Sequence, residues 1–90
     1  PASTGSRPVA AVQLRLFAAA REAAGTTMVE IDGATVGEVL EIARERFGAE
    51  FTAVLAGSRV WVDGDEPAAG DATPLIAGSE VAVLPPVSGG

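Results

Sequence analysis

Residues 34–48 read ATVGEVLEIARERFG, and this stretch decides the fold class. Thr35 followed three residues later by Glu38 is the pattern of a capping box: a hydroxyl accepts from a helix N–H while a glutamate reaches back. Val36, Val39, Leu40, Ala43 and Phe47 then recur at helical spacing, and Gly48 supplies a stop. Glu41, Arg44 and Glu45 fall on the opposite face as ordinary solvated neighbours. The spacing predicts one main amphipathic helix able to cover a sheet.

Strands flank it on both sides. From Val9 to Phe17 the chain alternates, with Val12, Leu14 and Leu16 on one side and Gln13, Arg15 and Phe17 on the other. AAAREAAG predicts a short helix ended by Gly25. Thr27, Val29 and Ile31 alternate with Met28, Glu30 and Asp32 as a second strand, and Asp32-Gly33 reads as a turn. Ala49 to Ala56 fit either a second helical stretch or a loop. RVWV, from Arg59, is a third strand running into DGDE, and SEVAVLPP ends in a fourth because Pro85 and Pro86 cannot donate to a ladder. A few strands on one side of one main helix make an α+β roll, with the first and last strands side by side in parallel. Residues 1–8 read as a loose leader, 9–84 as the domain and 85–90 as an extended tail.

Composition narrows the chemistry. Ninety residues with 48% hydrophobic content and a formal charge of −6 describe one small domain. The chain has no histidine, lysine or cysteine. A Ser-His triad, a thiolate nucleophile, a Schiff base, a phosphate-binding lysine and the usual nitrogen–sulfur zinc site are therefore excluded from these residues. Six scattered arginines on an acidic background form no basic stripe, so a nucleic-acid partner is not expected. Apolar runs are too short to cross a bilayer and the start lacks a signal-peptide pattern, so a cytoplasmic location is expected. The acids of DGDEPAAGD fail the spacing of a calcium loop, leaving a solvated turn as the reading and metal binding as its alternative.

If Val60, Val62, Val81 and Val83 face the helix, then Phe17, Trp61, Ala82 and Leu84 point away from it. Two of the chain's four aromatics would stand there, which suggests a docking patch. The alternative places Trp61 or Phe17 at the rim, closing over the core. Leu84 leads into PPVSGG, in which the prolines stiffen the chain and the glycines lose all bulk. Six extended residues reach roughly 20 Å, far enough to carry the carboxylate of Gly90 into another protein. A frayed end of small residues is the bland alternative.

LRLFAAAREAAG near the start and PLIAGSEVAVLPPVSGG at the end together resemble the MoaD family, the small sulfur-carrying subunit of molybdopterin synthase, over about Val9 to Gly90. The resemblance implies a ubiquitin-like β-grasp fold: a mixed sheet packed on one main helix, followed by a flexible tail. It implies that an E1-like enzyme uses ATP to adenylate the Gly90 carboxylate, that a sulfurtransferase supplies the sulfur of a thiocarboxylate, and that no cofactor is bound by the chain itself. The tail, Pro85, Pro86, Val87, Ser88 and Gly89, would line a channel in the large synthase subunit, a MoaE-like protein. That subunit would supply the catalytic side chains, pair two heterodimers into a heterotetramer, and receive sulfur for a pterin precursor of the molybdenum cofactor. Phe17 and Leu84 fall at partner-contact positions, whereas Arg21 and Glu22 match a family pattern with an expected structural part. Ser79 departs from the acidic residue often found there. Carriers for thiamine or cysteine synthesis, a ubiquitin-like protein modifier and a plain interaction module remain as rivals.

Overall fold

In the computed structural model, which describes residues 10–86, the alternation at the start of the chain becomes β1 (Ala10–Leu16). Val12 and Leu14 are fully buried and Leu16 nearly so, while Ala11, Gln13 and Arg15 are exposed. α1 (Ala18–Ala24) stops at Gly25, whose φ of 78° lies in the left-handed region that glycine enters without strain. β2 (Met28–Gly33), α2 (Val36–Phe47), α3 (Ala49–Ala56), β3 (Arg59–Val62), a 3-10 turn at Gly70–Ala72 and β4 (Glu80–Leu84) follow. The sheet runs β2-β1-β4-β3. β1 and β4 are parallel, with Leu14 opposite Val81 and Leu16 opposite Val83; the outer pairs are antiparallel. This is the β-grasp arrangement. The expected leader, residues 1–8, and Val87 to Gly90 of the expected tail lie outside the described residues. Among the described residues, no helix is long and apolar enough to cross a membrane.

The cap forms with its carboxylate half shifted by one residue. The Thr35 hydroxyl accepts from the Glu38 N–H at 3.3 Å, and the Glu38 carboxylate accepts from the Ala34 N–H at 2.9 Å. α2 buries Val36, Val39, Leu40 and Ala43 in one cluster with the inward residues of β1, β4 and Ile31. α2 is the longest helix, and two shorter ones share its core. Ala49–Ala56 is helical rather than loop, and its Phe51 is completely buried, with the ring centroid 5.2 Å from that of half-buried Phe47. Leu55 and, from α1, Ala20 join the same cluster. α3 is short and apolar on most sides, so it carries little periodicity to read.

Asp32-Gly33 is also not the turn expected. Gly33 is the last strand residue, paired with Ala10 and buried. A β-carbon there would stand 2.7 Å from Cγ2 of Val39, so glycine serves the close approach of β2 to α2. Gly33→Ala should therefore destabilise the domain by about 1–3 kcal/mol. Urea unfolding would register this as a lower midpoint at constant slope; an unchanged midpoint would refute the steric account.

The turn before β4 is held from inside. Buried Ser79 accepts on Oγ from the Ile76 N–H at 3.1 Å, and its carbonyl accepts from the Gln13 N–H at 2.9 Å. That contact sets where β4 starts along β1, and hence which side chains meet on the open face.

Candidate partner-docking face

The register of three strands builds the face. Ala82 lies opposite Arg15 on one side and opposite Trp61 on the other, so these three form an outward row across β1, β4 and β3. The next outward row holds Leu84 opposite Arg59. Phe17 follows the last β1 residue with extended dihedrals, φ −124° and ψ 152°, and so continues the outward side of the strand. Phe17, Trp61, Ala82 and Leu84 line a single concavity of about 600 Å³, and Pro85 and Pro86 continue its wall. The four positions expected from alternation are thus brought together with the start of the tail. Phe17 is 41% exposed and Trp61 partly so, and neither belongs to the core cluster of the described residues. The rim-closing alternative is not what the side chains do.

Charged side chains frame the apolar floor. Nε of Arg15 lies 2.7 Å from Oε2 of Glu80, and Nη1 of Arg59 lies 3.5 Å from Oε2 of Glu66. Both pairs are well exposed, so they add little stability. They place guanidinium and carboxylate groups side by side at the edge of the floor. Sequence reasoning singled out none of Arg15, Arg59 or Glu80 for this face, although Arg15 shares the outward parity of Phe17. Arg21 and Glu22 are exposed, and among the described residues neither side chain makes an ion pair. The DGDE segment is solvent-exposed, with Asp63 anchored by accepting the Glu80 N–H at 2.9 Å. Among the described residues no three acidic side chains converge as metal ligands would. Apolar surface bordered by guanidinium and carboxylate groups is suited to binding another protein. It offers no general acid–base pair of the usual kind.

Comparison with known proteins agrees with this architecture. The ThiS family model matches residues 14–90. Small archaeal modifier protein 1 from Methanosarcina acetivorans superposes with a TM-score of 0.82 at 28% identity, covering 93% of this chain and all of that one. Its counterpart from Haloferax volcanii gives 0.77 at 31% identity, covering 89% and 99%. A Pyrococcus furiosus protein provisionally titled molybdopterin converting factor, subunit 1, gives 0.75 at 27% identity, covering 87% and 99%. No curated protein is significantly similar in sequence. With a ubiquitin-like β-grasp fold and a family match over most of its length, the chain belongs to the ThiS family, within the MoaD/ThiS superfamily.

Proposed function

We propose that the protein is a sulfur carrier that works through the carboxylate of Gly90 as the small subunit of a molybdopterin synthase. The observation that carries this reading is the family match through residue 90, which takes in the diglycine. The chain's own chemistry supports it. With no histidine, cysteine or lysine, a main-chain carboxylate is the best reactive group these residues can present.

An E1-like enzyme joins the carboxylate to AMP from ATP, releasing pyrophosphate. A hydrosulfide equivalent from a sulfurtransferase attacks the acyl carbon, AMP leaves with the bridging oxygen, and a thiocarboxylate remains. Phe17, Trp61, Ala82 and Leu84 dock the partner, while Pro85 to Gly89 thread its channel. The large synthase subunit then supplies the side chains that move sulfur to a pterin precursor, in the cytoplasm.

A second reading, protein modification, is favoured by the likeness to two small archaeal modifier proteins. It shares the activation step and ends in an amide on a target lysine.

The first test is intact mass after incubation with the genome's E1-like enzyme, ATP and sulfide. The mass should rise by the difference between sulfur and oxygen. An unchanged mass with an activator that releases pyrophosphate would overturn the carrier reading. Adding the large subunit and pterin precursor then separates the two fates, since only the carrier loses its sulfur there. Target proteins joined through Gly90 would favour the modifier.

A further inference from the structure

A second recess, of about 270 Å³, opens where β1 passes into α1, and it is lined by Arg15, Leu16, Phe17, Arg21, Thr27 and Met28. It shares Arg15 and Phe17 with the docking concavity, so the two form one continuous surface. Its character differs from the larger groove. Two of the chain's six arginines line it and no acidic side chain does, on a protein whose formal charge is −6. Arg21 is exposed and makes no ion pair among the described residues, while the Arg15 guanidinium is anchored by Glu80. Apolar shoulders stand beside them, with Phe17 41% and Met28 43% exposed. The β1–β2 backbone closes the floor, where the Leu16 N–H donates to the Thr27 carbonyl at 2.9 Å.

From this juxtaposition we infer that the recess is a carboxylate-reading subsite: it receives an aspartate or glutamate side chain of the enzyme that activates Gly90. Charge complementarity selects an anion, and the two flanking hydrophobic side chains select one borne on an apolar protein surface rather than a free ion. The activating enzyme is the occupant because its step is common to the carrier and the modifier. Arg21 supplies the new ion pair; Arg15, already paired with Glu80, contributes its position on the wall and little net charge. An apolar floor alone tolerates sliding, and a guanidinium–carboxylate contact at one end fixes orientation. The inference rests on the open sheet face being where the activator docks.

The test is binding of the full chain to the E1-like enzyme at two salt concentrations. Arg21→Gln should weaken binding about tenfold and flatten its salt dependence, as expected for loss of a charged hydrogen bond. Arg21→Lys should recover part of the loss. Arg46→Gln, on the exposed side of α2, removes the same charge and should stay within about twofold of the parent. If Trp61→Ala weakens binding while Arg21→Gln does not, the docking face stands and the subsite falls. Equal losses for Arg21→Gln and Arg46→Gln would mean that only net charge matters, which also overturns it. If Trp61→Ala and Leu84→Ala bind like the parent, the docking face fails and takes the subsite with it. Thermal unfolding of each variant guards against a folding defect, and Arg21→Lys serves if Arg21→Gln is compromised.

Discussion

A chain lacking Gly90 is expected to acquire no sulfur from a competent activator, ATP and sulfide, and to unfold at the same urea concentration as the parent. The two halves of this result have separate causes. Stability is unaffected because the described core runs from Ala10 to Val83, and the chain has left that cluster before Pro85. Loading is lost although the shortened chain still ends in a glycine carboxylate of the same intrinsic reactivity. What changes is reach: one residue is up to about 3.5 Å of extended chain, and a reacting group misplaced by about 1 Å can already cost a hundredfold in rate. A shortfall several times larger takes the carboxylate out of line with the nucleotide. Adding one alanine after Gly90 should be equally damaging, because it places a β-carbon in a passage suited to glycine. Intact mass reports loading and urea unfolding reports the fold. If the shortened chain were loaded at the parent rate, the Gly90 carboxylate could not be the acceptor; if its midpoint fell, the tail would be structural.

The parts of this molecule that were legible in its sequence are those whose signal is local. α2 announces itself through Thr35, Glu38, a five-residue apolar stripe and Gly48, and β1 through a strict alternation. That Phe17, Trp61, Ala82 and Leu84 share one outward face follows from the same alternation, once the first and last strands are set in parallel. Other features depend on what lies across the fold. Gly33 carries the dipeptide of a turn, yet its meaning comes from Val39, on the next element. The Arg15–Glu80 pair depends on how far β4 slides along β1, here Gln13 opposite Glu80, and that register is held by Ser79 at the turn just before β4, whose carbonyl reaches across to β1. Arg21 in the sequence is only part of a pattern. Its position beside Phe17 and Met28 emerges only when the end of β1, α1 and the start of β2 close one recess. The proposed tail chemistry is a different case, since it rests on a motif and not on packing.

Phe51→Ala should produce the largest loss of stability of any substitution considered, about 3–5 kcal/mol. Phe51 is the largest side chain with no exposed surface, and it stands where α3 meets α1 and α2, tilted against Phe47. Truncation removes its burial, forfeits the ring pair and opens a cavity. Two neighbouring helices, tied to the sheet by Ala20, Val39 and Ala43, limit how far the site can collapse. A domain of this size commonly holds roughly 5–15 kcal/mol in total, so the variant would sit near the edge of folding. The midpoint of thermal unfolding should fall by roughly 15–30 °C on the scale expected for a small domain. Phe51 lies in the core, whereas Phe17, Trp61, Ala82 and Leu84 lie on the opposite face of the sheet. In the temperature range where the variant remains folded, it should therefore bind the activating enzyme as the parent does. That separation gives the experiment its force. A loss under about 1 kcal/mol would mean that the site closes over the gap and that α3 is a cover rather than part of the core. A stable variant that nevertheless failed to bind would instead couple α3 to the docking face, which the packing gives no reason to expect.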